Sequence, residues 1–308
     1  MIVLLCPGQG AQMVGMGKDL AERFPAARDT FAAIDEALGV ALSRIMWEGP
    51  EEELTRTHNT QPAILVHTAA VLAVAGPKLA GTVAAAGHSL GEYSAYVAAG
   101  SLSAADGARL VRRRGELMSE AGTKREGTMA AILGLASEEV ERICAEVSTG
   151  ADTVAAANLN GPDQTVISGD PAAVTRAGEQ CKAKGAKRVL TLKVSGAFHS
   201  PLMQPAVAGL HLALSRVTFG EPRFEVIANA TAEAVTTAAR ASRLLADQLT
   251  APVRWVACMQ QAHQRHPGAT YVEVGPGNVL SGLLRRIVPG APTVTLGTAV
   301  EVEKYLNA

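Results

Sequence analysis

Apolar and polar positions along the chain keep two rhythms. Ile2 to Cys6 is an unbroken apolar run closed by Pro7-Gly8, the pattern of a short strand buried on both faces. From Lys18 to Gly39, Leu20, Phe24, Phe31, Ile34 and Leu38 recur at helical spacing, with Pro25 marking a break. Glu51-Glu52-Glu53 after Gly49-Pro50 opens a further helix with an acidic first turn, which suits the helix dipole. Ala63 to Val74, preceded by Thr60-Gln61-Pro62, reads as a buried helix, and Thr82 to Ala86 as a strand of small residues. Further on, Phe224 to Ala228, Thr270 to Val274 and Thr293 to Leu296 read as strands. Between them Ser242 to Leu249, Val253 to Ala262 and Leu280 to Ile287 read as helices. Strands alternating with helices predict an α/β fold with a mostly parallel sheet covered on both faces.

Between 127 and 195 the rhythm shortens. Thr128 to Leu135 reads as a strand, a helix capped by Ser137 runs to about Val147, and strands follow over Thr153 to Leu159 and Gln164 to Ser168. The turn between these two is Asn160-Gly161-Pro162-Asp163. A helix from Asp170-Pro171 to Gly185 and a strand from Lys187 to Val194 complete βαββαβ, the order of a ferredoxin-like unit. The expected organisation is a large α/β domain made of 1–126 and 196–308, with a small domain at 127–195 inserted and the active site at the seam.

Composition narrows the class. A 308-residue chain that is 48% hydrophobic can bury a large core, and 19% charged residues with a net charge of −1 argue against a nucleic-acid binder. Cys6, Cys144, Cys181 and Cys258 form no CxxC pair and read as buried thiols of a reducing compartment. The N-terminus has no basic region before its short apolar run, and no stretch is expected to approach the roughly 20 apolar residues that cross a bilayer. A cytoplasmic, monomeric protein without membrane contact is expected.

Chemistry concentrates at Gly87-His88-Ser89-Leu90-Gly91. A small-residue strand before this pentapeptide and Glu92 to Ala99 as a helix after it give the strand–turn–helix context of a nucleophile elbow, with Ser89 at its tip. Ser103 with Asp106 opens the next helix as a capping-box variant. There Leu110, Val111, Leu117 and Met118 form one apolar stripe with Arg114 in its middle, whereas Arg112 and Arg113 point elsewhere. A buried guanidinium needs an anion, either an internal Asp or Glu or a substrate carboxylate. His199 lies where the chain returns to the large domain, just before Ser200 as an N-cap and Pro201 at the first helical position, a place suited to present a base to Ser89. Gly8-Gln9-Gly10-Ala11-Gln12 lacks the third glycine of a dinucleotide fingerprint and reads as a tight turn with amide donors. His58 and His67 have no partners at metal-ligand spacing, and no metal is expected.

Six ordered stretches together resemble the malonyl-CoA:acyl carrier protein transacylases of fatty-acid and polyketide synthesis. They are Pro7 to Gln12, Gly87 to Glu92, Arg114-Gly115, Gly196 to Ser200, Gln248 through Pro252 to Trp255, and Val274 to Gly277. The resemblance implies a hydrolase-like large domain and acyl transfer by a Ser–His dyad. It makes Ser89 the nucleophile and His199 the general base, oriented by a backbone carbonyl at Gln248, with the backbone N–H groups of Gln9 and Leu90 as the oxyanion hole. It places the malonyl carboxylate on Arg114, with Phe198 crowding an α-methyl branch and Met118 lining the same pocket. Asn160 and Gln164 are carried over as substrate-binding positions of undefined role. The implied partners are malonyl-CoA and a holo acyl carrier protein, with no cofactor. A basic rim, Lys182, Lys184, Lys187 and Arg188 or else Arg285 and Arg286, is the expected carrier surface. Alternatives are a trans-acting polyketide acyltransferase, a malonate decarboxylase subunit, a serine esterase or thioesterase, and a non-catalytic scaffold on the same fold.

Overall fold

A computed structural model describes residues 1–308. The chain opens with β1 (Ile2–Cys6), then α1 (Lys18–Arg23), α2 (Pro25–Leu38), α3 (Leu42–Glu48), α4 (Glu51–Thr55) and α5 (Thr57–Ala75). The elbow region follows as β2 (Thr82–Gly87), α6 (Gly91–Ala98) and α7 (Ala104–Lys124). The middle of the chain holds β3 (Thr128–Leu133), α8 (Ser137–Val147), β4 (Val154–Gly161), β5 (Gln164–Gly169), α9 (Pro171–Ala183) and β6 (Arg188–Thr191). The rest comprises α10 (Gln204–Ser215), β7 (Glu225–Ile227), β8 (Ala234–Val235), α11 (Ala238–Asp247), α12 (Trp255–Arg265), β9 (Thr270–Val274), α13 (Val279–Ile287), β10 (Thr293–Leu296) and α14 (Ala299–Asn307).

The larger sheet has the order β10-β9-β1-β2-β7-β8 and is parallel except at the β7–β8 edge. Its two middle strands, β1 and β2, are apolar but for Thr82, because helices cover both faces. One face carries the largest hydrophobic cluster, which includes Leu4, Ala85 and the buried faces of α2, α5 and α7. The other carries a smaller cluster in which Val3, Leu5, Ala84 and Ala86 meet Trp255, Cys258 and Leu284. Residues of β3 to β6 form a second, wholly antiparallel sheet of order β4-β5-β3-β6. Ile132, Val140, Ile143, Ile167 and Val174 make its own core against α8 and α9.

Several expectations shift. The buried helix begins at Thr57, not Ala63, and carries Pro62 inside it. An interior proline costs about 3 kcal/mol, which burial of its neighbours Ile64, Leu65 and Val66 offsets at about 1.5–3 kcal/mol each. Thr57–Leu79 is also long and apolar enough to cross a bilayer, contrary to expectation, yet most of it is buried within the protein as a core helix. Ser137 is the first residue of α8, not its cap; the hydroxyl instead meets Thr165 Oγ1 at 2.9 Å. Asn160 and Gly161 belong to β4, so the turn shrinks to Pro162-Asp163. Helix α12 starts at Trp255, because Val253 makes a parallel bridge to Asn158 of β4. That bridge ties β4 to the segment just before α12 through Leu159 N–H to Val253 O (2.9 Å) and Val253 N–H to Ala157 O (2.8 Å). All four cysteines are buried free thiols.

Candidate active site

Ser89 sits at the end of β2, with φ of 54°, in the left-handed region that L-residues rarely adopt. The flanking glycines are steric necessities. A Cβ on Gly87 would lie 1.9 Å from Gly91 O, and one on Gly91 would lie 2.2 Å from Cys6 O. The turn is held from outside by Asn229, which follows β7: its Oδ1 accepts the Ser89 N–H at 2.7 Å, and its Nδ2 donates to Gly87 O at 2.7 Å. Helix α6 starts two residues later, directing its positive end toward the serine.

His199, 110 residues on, also has positive φ, at 56°. Its Nε2 lies 2.7 Å from Ser89 Oγ. Its Nδ1 faces Gln248 O at 3.0 Å and Ala251 O at 3.2 Å. Carbonyls only accept, so Nδ1 carries the proton and Nε2 is left to accept the Ser89 hydroxyl. No carboxylate bonds to the imidazole, so the arrangement is a dyad. Burial, and then the Arg114 charge, push the imidazole down to about 3, leaving it neutral at pH 7.

Arg114 is 1% exposed, as its stripe position requires. Of the two anions weighed for it, the internal Asp or Glu is absent: Arg114 makes no salt bridge within the chain. Its guanidinium donates from Nη1 to Gln61 Oε1 (2.9 Å) and from Nη2 to Gln248 Oε1 (2.9 Å) and Ser89 Oγ (3.0 Å), all neutral acceptors. The Nε–H has no partner, and the guanidinium lies 5.8 Å from the Tyr93 ring centroid. Burial lowers its pKa. The cation is therefore under-neutralised and aimed at the serine oxygen.

A cavity of about 110 Å³ opens beside Ser89 and His199, with Met118 and Phe198 among its walls. The backbone N–H groups of Gln9 and Leu90 have no acceptor within the protein. Asn160 and Gln164 do not reach this cavity. They line an adjoining depression of about 150 Å³ shared with the Pro7 to Ala11 turn and α13. Asn160 Oδ1 accepts from His88 Nε2 at 2.7 Å, and Gln164 Oε1 accepts from Arg286 at 3.0 Å. Arg286 is also paired with Asp163, so it is tied down rather than a free docking charge; Lys182, Lys184, Lys187 and Arg188 are exposed. A larger cavity, about 560 Å³, is elsewhere, between Leu4, Leu72, Leu79 and Phe224, and holds neither nucleophile nor base.

The acyl transferase domain family matches residues 3–297 of this chain. The chain belongs to that family. Like other acyl transferases it is an α/β protein with a parallel-rich sheet. It is 42% identical over 302 residues to a malonyl CoA-acyl carrier protein transacylase of Bacillus subtilis, covering 98% of this chain and 95% of the relative. With the Escherichia coli K12 protein of the same name it shares 43% identity, covering 92% and 91%. Among solved structures, a malonyl-transacylase in complex with its holo type II polyketide acyl-carrier protein superposes with a TM-score of 0.95 at 40% identity, covering 99% of both chains. An acyl carrier protein S-malonyltransferase from Vibrio cholerae gives 0.93 at 40% identity, covering 98% and 99%.

Three residues of this candidate site were not singled out from the sequence: Gln61, Glu92 and Asn229. Glu92 is fully buried. Its Oε2 accepts from the Asn229 N–H at 3.0 Å and from Gln248 Nε2 at 2.7 Å, while Oε1 has no partner. An acid in the first turn of a helix is an ordinary occupant favoured by the dipole, so nothing local marked it. The one available signal was that an acid there follows directly on a nucleophile elbow.

Proposed function

We propose that the protein transfers a malonyl group from malonyl-CoA to the phosphopantetheine thiol of an acyl carrier protein, through an ester on Ser89. His199 Nε2 takes the Ser89 proton as Oγ attacks the thioester carbon. The tetrahedral oxyanion is received by the N–H groups of Gln9 and Leu90. Collapse breaks the C–S bond, and His199 returns the proton to the departing CoA thiolate. The carrier thiol then gives its proton to His199, attacks the ester carbon, and Ser89 Oγ leaves with that proton. This is a ping-pong exchange that conserves atoms and charge. Arg114 pairs with the malonyl carboxylate, Phe198 and Met118 confine the acyl group, and the depression beside Asn160 and Gln164 receives the thioester arm.

The observation that carries the reading is Arg114, a buried cation with only neutral partners, donating to the nucleophile itself. A serine esterase has no use for it. Ser89→Ala should lower transfer by about a thousandfold or more. A malonyl adduct on the Ser89→Ala chain, seen by intact mass, would refute the assignment. A trans-acting role in polyketide assembly is the second reading, favoured by likeness to a transacylase bound to such a carrier; rates with fatty-acid and polyketide carriers separate the two. The order β4-β5-β3-β6 supports reading 127–195 as a ferredoxin-like insertion into a hydrolase-like domain of 1–126 and 196–308.

A further inference from the structure

Glu92 is a buried acid that this reaction does not use. No lysine or arginine bonds to it. The titratable groups around it are Tyr93 and Tyr96 on its own helix, Arg114 on α7 and Cys258 on α12. Burial raises its carboxyl to about 7, partly opposed by its hydrogen bonds to Asn229 and Gln248.

The amide of Gln248 has two unlike ends. Its Nε2 donates to Glu92 Oε2 (2.7 Å) and to Ser89 O (3.0 Å), while its Oε1 accepts from Arg114 Nη2 (2.9 Å). Reversed, the NH₂ would face a guanidinium and the oxygen a carboxylate, two repulsive contacts in place of two attractive ones. Glu92 therefore selects the amide orientation that Arg114 needs. The same residue's main-chain oxygen accepts from His199 Nδ1. One glutamine thus links the acid to both the cation and the base.

We infer that Glu92 is a positioning residue which, through Gln248, holds Arg114 and His199 in register with Ser89 and so sets the preference for acyl donors that bear a carboxylate. This rests on the reading of Arg114 as the carboxylate receptor.

The test uses the full chain as Glu92→Ala, Glu92→Gln, Gln248→Ala, the double Ala variant and Arg114→Ala, with kcat/KM for malonyl-CoA and acetyl-CoA. Glu92→Ala should lower the malonyl-to-acetyl ratio by about tenfold, with the malonyl-CoA KM raised, and add less than about twofold on the Gln248→Ala background. Glu92→Gln keeps an acceptor oxygen and should bring the ratio back to within about threefold of the unaltered chain. An equal loss for both donors, or additive effects of Glu92 and Gln248, overturns the inference. Should Glu92→Ala not fold, pH dependence carries the test: the ratio rises from pH 6 to 8 by up to about threefold in the unaltered chain, the same bound as for Glu92→Gln, and is level in Glu92→Gln; parallel profiles overturn the inference. A ratio insensitive to Arg114→Ala sinks the reading of the site itself. A ratio sensitive to Arg114 but not to Glu92 sinks only the present inference.

Discussion

Replacing Arg114 by alanine tests the site at its most specific point. The guanidinium is 1% exposed, and its four bonded or facing groups are Gln61, Gln248, Ser89 and the Tyr93 ring, none of them anionic at neutral pH. A malonyl carboxylate brought into this pocket without Arg114 is a buried charge with no counter-ion. Truncating one partner of such a pair costs about 2–5 kcal/mol, equivalent to about 30- to 5,000-fold in kcat/KM. Acetyl-CoA strands no charge. It forfeits only the Nη2 bond to Ser89 Oγ at 3.0 Å, a loss of about 0.5–1.5 kcal/mol, or about 2- to 13-fold. The malonyl-to-acetyl ratio should therefore fall by about 2- to 2,000-fold, centred near about 70-fold. Arg114→Lys, which keeps the charge but not the planar fork, should lie between. Rapid-quench acylation of Ser89 by each donor, followed by intact mass, measures both rates directly. Losses equal for the two donors would refute the argument and make Arg114 a structural cation.

Three further outcomes follow from the same geometry. Phe198→Ser should widen the cavity of about 110 Å³ and raise methylmalonyl relative to malonyl transfer by about tenfold or more, as for one methyl group in a tight pocket; an unchanged ratio in a competition assay would remove Phe198 as the selectivity wall. Gly91→Ala forces a Cβ to 2.2 Å from Cys6 O and should lower stability by about 1–3 kcal/mol or more, read by thermal denaturation; an unchanged melting temperature would contradict the close approach. His199 is pushed from its ordinary 6.5 down to about 3. The unfolded chain therefore takes its proton first as pH falls, so stability is lost progressively from about 6.5 toward 3. His199→Asn should flatten part of that acid slope, and identical slopes would show that the imidazole is not buried neutral.

What the sequence made legible was whatever declares itself through spacing. Ser89 stood out by its glycines and Arg114 by its place on an apolar stripe. His199 owed its notice to a helix start, and its carbonyl orienter at Gln248 came only from the family resemblance. Glu92 and Asn229 stayed hidden for one reason: each looks like the ordinary occupant of its local position, a dipole-favouring acid and a loop amide after a strand. Their burial comes from packing across 137 residues of chain, which no local pattern encodes. Pro62 misled in the opposite direction. Its backbone rule is strong locally, yet the apolar surroundings of α5 overrode it. The start of α12 was misplaced for a similar reason, since Val253 is drawn out of the helix by pairing with β4.

The positive φ values of Ser89 and His199 carry an evolutionary consequence. The two side chains assigned to bond exchange occupy backbone positions that glycine would fill with less strain, by about 1–2 kcal/mol each. A library screened only for heat resistance should therefore tolerate Ser89→Gly, a silent enzyme, whereas His199→Gly relieves the same strain but forfeits the Nδ1 bonds to Gln248 O and Ala251 O. Retaining serine at position 89 is a standing cost in backbone strain that selection for folding alone has no reason to keep.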